Sequence, residues 1–280
     1  MKPDITAPNF LASQGKVSSS PSIQTYLITI AWLVIGLPLF FIAAPFAGLN
    51  LLYKKFTTKK SKPSDVKQYP IYQADNNIQY DQRPYDLVVF GATGFTGSLA
   101  VNYIVEHYRT APFKWAIAGR NKSALERVLS EALTAIEDIA ILEEIQKNVQ
   151  IIIADSSKID TLRDMIRSTR SIVTTCGPFD KYGNDVVALC AAYGTHYADI
   201  NGETDWNRKM IDNYEKQAKQ SGAIITSFAG HDCIPWDQSV RNASELLQKE
   251  YQQDVAKIEV FDHVSGSLSG GTLATIIHSL

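Results

Sequence analysis

The order of apolar and polar positions divides the chain into two unlike stretches. From Tyr26 to Tyr53 the sequence YLITIAWLVIGLPLFFIAAPFAGLNLLY holds no charged residue. A helix rises about 1.5 Å per residue and a bilayer's hydrocarbon core is about 30 Å thick, so roughly 20 apolar residues suffice to cross it. The stretch offers 28, enough for one tilted span, with kinks at Pro38 and Pro45 of the kind membrane helices tolerate. It is longer and further from the start than a signal peptide's apolar region.

From Tyr85 the pattern changes to short apolar runs alternating with amphipathic segments. The runs Asp86–Phe90, Lys114–Ala118, Val149–Ala154, Ser171–Thr175, His196–Ile200 and Ala223–Phe228 read as strands. Helices are expected near 97–108, 122–146, 158–168, 183–194 and 205–220. In the second of these, Leu125, Val128, Leu129, Leu133, Ile136, Ala140 and Ile145 share one face at helical spacing. Strands without polar alternation, separated by such helices, are covered on both faces and run parallel. Right-handed crossovers then give an α/β fold: a doubly wound parallel Rossmann-type sheet preceded by a single transmembrane helix.

The remaining segments follow. Residues 1–25 are a polar tail rich in Ser and Pro, 26–53 the membrane span, 54–84 a basic and polar linker, and 85–237 the Rossmann-type domain. Lys54, Lys55, Lys59, Lys60 and Lys62 crowd the span's C-terminal side, against Lys2 and Lys16 on the other. This asymmetry places the large C-terminal part in the cytoplasm, or in the matrix of a mitochondrial inner membrane. The expected partner is the lipid bilayer; endoplasmic reticulum, lipid droplet and mitochondrion are not distinguished, and no mitochondrial presequence is visible.

Composition adds exclusions. Of 280 residues, 45% are hydrophobic and 20% charged, with a net charge of −2 and no basic stripe, so a nucleic-acid partner is not expected. Cys176, Cys190 and Cys233 are odd in number and widely spaced, which argues against a disulfide framework or a structural metal site.

The first strand runs into Gly91-Ala92-Thr93-Gly94-Phe95-Thr96-Gly97 and then a helix. Glycines at this spacing permit the tight turn, the approach of a pyrophosphate to the backbone, and close packing of helix on sheet. The helix N-terminus adds free N–H groups and the positive end of its dipole. The second strand ends in Gly119-Arg120-Asn121. A NAD site normally carries an acid here for the ribose hydroxyls. Arg120 stands in its place, and a guanidinium presents a planar fork of donors suited to a 2′-phosphate. The expected cofactor is therefore NADP(H), with Asn121 adding a donor. Asp155 ends the third strand, where its carboxylate either accepts the adenine amino group or caps the helix that follows.

These residues resemble one family. GATGFTG, WAIAGRNKSALE and TTCGPFDKYGNDVVALCAAYGTHYADINGET, in that order, are similar to the saccharopine-dehydrogenase-like oxidoreductases, which include the trans-acting enoyl reductases of lipid biosynthesis. SFAGHDCIPWD resembles that family's Gly-Phe-Asp-Ser-Ile-Pro-x-Asp signature, with His231 in place of the aromatic and Cys233 in place of the serine, and SGSLSGGTLAT resembles its later Ser-Gly-Gly-Thr stretch. The resemblance implies that Cys176, Gly177 and Pro178 line the nicotinamide half and that Tyr182 begins the next helix. Asn201-Gly202-Glu203 and His231-Asp232 would face the same crevice. It also implies that residues 238–280 are only the beginning of a second, α+β domain that the family carries at greater length.

The Tyr-x-x-x-Lys pair of short-chain dehydrogenases occurs nowhere in the sequence. The ionisable residues expected near the crevice are His196, Asp199, Glu203, His231 and Asp232, and His231-Asp232 is the candidate catalytic pair, with the histidine as proton donor. Glu203 alternatively caps the helix starting near Asp205. Two functions follow: a membrane-anchored NADPH-dependent reductase of a lipid-like substrate, or a non-catalytic NADP(H)-binding subunit of a larger membrane complex.

Overall fold

The computed structural model describes residues 69–74, 79–108, 111–262 and 269–279. Six strands form one parallel sheet: β1 (Tyr85–Phe90), β2 (Trp115–Gly119), β3 (Val149–Ile153), β4 (Thr169–Thr174), β5 (His196–Asp199) and β6 (Ile225–Thr226). The spatial order is β3-β2-β1-β4-β5-β6, and every neighbouring pair is parallel. The order reverses between β1 and β4, the switch point at which such sheets open a crevice at their carboxyl edge.

Successive β1 residues point to opposite faces and so feed two cores. Val88 and Phe90 join Leu162, Met165, Leu189, Tyr197, Trp206 and Tyr214. These come from β5 and from helices α4 (Ile159–Arg167), α6 (Asn184–Tyr193) and α7 (Thr204–Ser221). Val89 joins Val101, Val105, Ile117, Leu125 and Ile145, contributed by β2 and by α1 (Phe95–His107), α2 (Lys122–Leu133) and α3 (Ile139–Asn148). Full burial of a side chain such as Leu125 or Leu162 contributes about 2 kcal/mol. The remaining α-helices among the described residues are α5 (Phe179–Tyr182), α8 (Ile234–Tyr251) and α9 (Gly270–Ser279).

Several expectations are corrected. The single helix expected over 122–146 is two, α2 and α3, broken after Leu133. Thr134 ends the first, and Asp138 caps the second by accepting from the N–H groups of Ala140 and Ile141. Part of the expected 54–84 linker packs on the domain. The Tyr72 hydroxyl donates to Asp185, Tyr214 donates to the carbonyl of Pro70, and Gln217 donates to the carbonyl of Tyr72. Arg83 is buried and donates to the Thr169 carbonyl, the Thr195 hydroxyl and the Tyr193 carbonyl at the end of α6. Burial lowers its pKa from the usual arginine value.

Helix α8 crosses the expected boundary at 237/238, yet buries none of its residues among those described. Among the described residues no helix is long and apolar enough to cross a membrane. The expected span, residues 26–53, lies outside the described residues, as does the polar tail.

Candidate functional site

The glycine loop follows β1 directly. Gly91 takes φ +87°, and a Cβ there would lie 2.7 Å from Cys176 Sγ and 2.9 Å from Thr175 Oγ1. Its N–H donates to the Ala118 carbonyl at the end of β2, while the Gly94 N–H donates back to Gly91. Gly97 sits in the first turn of α1, where a Cβ would meet the Gly91 carbonyl oxygen at 2.2 Å. The Gly97 contact is between backbones, which only a missing side chain allows, and the positive φ of Gly91 favours glycine there too. No side chain caps α1 at Gly94, so its first-turn N–H groups remain for an anionic ligand. Thr93, Gly94 and Phe95 are exposed around this turn, and Thr96 is half-buried. A glycine-lined turn ahead of an uncapped helix fits a pyrophosphate.

Arg120 follows β2 and is exposed. Asn121 caps α2, its side-chain oxygen accepting from the Ala124 N–H at 3.1 Å. Asp155, half-buried after β3, accepts from both the N–H and the hydroxyl of Ser157. These two bonds, with a smaller pull from Arg120, hold its carboxyl below the usual aspartate range. Asp155 thus organises the turn before α4, whose own N-cap is Lys158.

Beyond β4 the chain passes through Thr175, Cys176 and Gly177 into the cis Gly177–Pro178 bond and the short helix α5. The Thr175 N–H donates to the Phe90 carbonyl, which ties this turn to the glycine loop. Burial pushes the Cys176 thiol up to about 11. Tyr182, half-buried at the end of α5, has the Lys181 ammonium 5.1 Å from its ring centroid.

A cleft of about 720 Å³ opens at this end of the sheet, between Thr96, Gly177, Asn201, Glu203, Asp232 and Thr275. Of the residues expected there, Thr96, Gly177, Asn201, Gly202, Glu203 and Asp232 line it; Cys176, Pro178 and Tyr182 lie off it. The His231-Asp232 pair is only half present. Both are exposed, in the turn before α8, but Asp232 alone lines the cleft. The His231 ring lies edge-on to Trp236, 6.3 Å between centroids, and no hydrogen bond joins the two residues.

His196 belongs elsewhere. It opens β5 at the amino edge of the sheet, where its Nδ1 accepts from the Ile224 N–H beside the Tyr80 ring. The expectation that placed it near the crevice read the strand correctly and took the wrong end.

Sequence reasoning missed the network that builds the cleft's far wall. Asp199, fully buried at the carboxyl end of β5, accepts from the Tyr197 hydroxyl, the Phe228 N–H and both the N–H and side-chain amide of Asn201. Burial raises its pKa, and these four donors work against that rise. Burial, followed by the Asp199 charge, holds Tyr197 well above the usual tyrosine value. Phe228 takes φ +60°, a strained angle for an aromatic residue, in the loop this bond secures. Glu203 does not cap the helix beginning beside it. Its two oxygens accept from the N–H groups of Phe179 and Asp180, at 2.7 and 2.8 Å.

With the sheet order, the glycine cradle and Arg120 in place, comparison with known proteins is decisive. Residues 87–226, half of the chain, match the saccharopine dehydrogenase NADP binding domain. The chain belongs to that family. Its cofactor is accordingly NADP(H). A Caenorhabditis elegans "lipid droplet localized protein" is 34% identical over 202 residues, covering 70% of this chain and 45% of the relative. A "putative trans-acting enoyl reductase" of Mycobacterium tuberculosis is 36% identical over 202 residues, covering 71% and 45%. The trans-acting enoyl reductase of Mycobacterium ulcerans is 33% identical over 196 residues, covering 69% and 44%. The chain thus spans about half the length of the curated relatives it matches. Among solved structures, apo saccharopine dehydrogenase (L-Glu forming) of Saccharomyces cerevisiae superposes with a TM-score of 0.44 at 10% identity, covering 60% of this chain and 32% of that one. That likeness is too low to bear on the site.

Proposed function

We propose that this protein is a membrane-anchored NADPH-dependent reductase of an unsaturated, lipid-like acyl substrate. The observation that carries the reading is the continuity of the glycine cradle with the cleft: Thr96 of the loop helix and Gly177 after β4 line the same space. Gly91, Thr93, Gly94, Phe95, Thr96 and Gly97 would cradle the pyrophosphate. Arg120 and Asn121 would hold the 2′-phosphate, and Asp155 would stand at the adenine. Gly177 would line the nicotinamide end, while Cys176, Pro178 and Tyr182 lie off the cleft.

NADPH held there would supply a hydride, and saturating an enoyl double bond also needs a proton at the carbon beside the carbonyl. Asp232 lines the cleft, with His231 beside it in sequence, so this turn would be the route for that proton. Glu203 is unsuited to the task because both of its oxygens are engaged by the backbone. Two relatives named as enoyl reductases support the reaction class, and the one named for lipid droplets supports a lipid surface. The apolar stretch 26–53 would hold the domain at such a surface, on the cytoplasmic or matrix side.

A second reading has one observation in its favour: His231 lies off the cleft and against Trp236. In that case the chain is a non-catalytic NADP(H)-binding subunit of a larger membrane complex. The two separate when the full chain, in lipid nanodiscs, is mixed with NADPH and an enoyl thioester. Loss of NADPH absorbance matched by saturated product supports the reductase, and loss of both in His231→Gln would assign the proton route. Stoichiometric NADPH binding without turnover, with co-purification in a large assembly, supports the subunit.

A further inference from the structure

Between β5 and the Gly177–Pro178 turn runs a chain of hydrogen bonds to which the dinucleotide fingerprint assigns nothing. It begins at Asp199, which is fully buried and grips Asn201 through its backbone and side-chain N–H groups at 3.1 and 2.6 Å. The Asn201 side-chain oxygen accepts from the Glu203 N–H at 2.9 Å. The Glu203 carboxylate spans 24 residues of sequence to take the N–H groups of Phe179 and Asp180. A second tie comes from the same helix: the Trp206 indole donates to Asn184, whose amide donates to the Asp180 carbonyl.

We infer that Glu203 is a positioning residue for the cofactor, fixing the Gly177–Asp180 turn so that its backbone forms a rigid seat for the nicotinamide end. The inference rests on the reading that places nicotinamide beside Gly177. The physical grounds are specific. An ionised acceptor bridging two consecutive N–H groups defines the position and tilt of that peptide segment, where one neutral bond would leave it free to rotate. The carboxylate is itself oriented from behind, because Asn201 and Asp199 set the backbone from which it projects. A seat of this kind lowers the ordering cost of binding the ring, a gain that appears in affinity for the whole dinucleotide and not for its adenosine half.

The test uses the full chain in detergent and two probes, NADPH and adenosine 2′,5′-bisphosphate, which lacks the nicotinamide. Dissociation constants, thermal midpoints without ligand and the fluorescence of bound NADPH are measured for wild type, Glu203→Ala and Glu203→Gln. The expected result is a loss of about tenfold in NADPH affinity for Glu203→Ala, the scale of one charge-assisted bond, with adenosine 2′,5′-bisphosphate binding unchanged. Bound-NADPH fluorescence falls in the same variant. Glu203→Gln, which keeps one carbonyl acceptor, shows the same split at about threefold, and decides the matter alone if the alanine variant does not fold. Parallel loss of both probes, or loss of neither, overturns the inference. If wild type itself binds NADPH no tighter than adenosine 2′,5′-bisphosphate, the placement of nicotinamide fails, and the inference fails with it.

Discussion

Where β1 meets α1, backbone lies against backbone; where β5 faces α5, side chains bridge the gap. On the first side the determining feature is the absence of atoms: a Cβ on Gly97 would lie only 2.2 Å from the Gly91 carbonyl oxygen. On the second side it is a series of donors and acceptors, Asp199 to Asn201 to Glu203, ending on the N–H groups of Phe179 and Asp180. The difference teaches that one crevice can be shaped both by steric permission and by polar wiring. The two should fail differently when broken.

The largest effect is expected on the wired side. Asp199→Ala leaves the Tyr197 hydroxyl and the N–H groups of Asn201 and Phe228 without their buried acceptor, a loss of about 3–5 kcal/mol of stability. Urea denaturation measures it, and a change under about 1 kcal/mol would show that water replaces the carboxylate at little cost. Gly97→Ala tests the other side. Overpacking against a backbone oxygen costs about 2–3 kcal/mol, so the protein still folds, but NADPH binding measured by titration calorimetry is abolished because the phosphate turn has shifted. The contrast is sharpest if Asp199→Ala loses more stability and Gly97→Ala more binding.

This contrast also explains what was legible in the sequence. The glycine loop announces itself because steric permission is written locally, in residues that lack side chains within one turn. The six strands were legible for a related reason: each is a short run between helical segments, and β1 and β2 are mostly apolar. The wiring was not legible, because Glu203 and the N–H donors of Phe179 and Asp180 are joined only by the fold. The break between α2 and α3 was hidden because Leu133, Ile136, Ala140 and Ile145 keep helical spacing across it. Asp138 ahead of Ile139 was the local sign of a new N-terminus. Arg83 read as linker because nothing near it in sequence reveals the C-terminal end of α6 that it reaches.

A smaller effect sharpens the comparison at the third strand. Asp155 has its folded pKa lowered by its bonds to Ser157. It therefore contributes stability above the unfolded value, about 3.9, and loses it as pH falls through the folded value. Melting temperatures of wild type and Asp155→Asn should differ at pH 6 and draw together as the pH falls below about 3.9. A gap that widens on acidification would contradict the assignment.

The measurement that bears most directly on the account is a titration of the full chain with NADPH and with NADH, repeated for Arg120→Ala. The site predicts NADPH tighter than NADH by about tenfold or more in wild type, since one guanidinium–phosphate contact is worth roughly 1.5–3 kcal/mol. Arg120→Ala should erase the preference while leaving NADH affinity in place. Equal affinity for the two nucleotides in wild type, or a preference that survives Arg120→Ala, would contradict the reading of the strand tip on which the cofactor site rests.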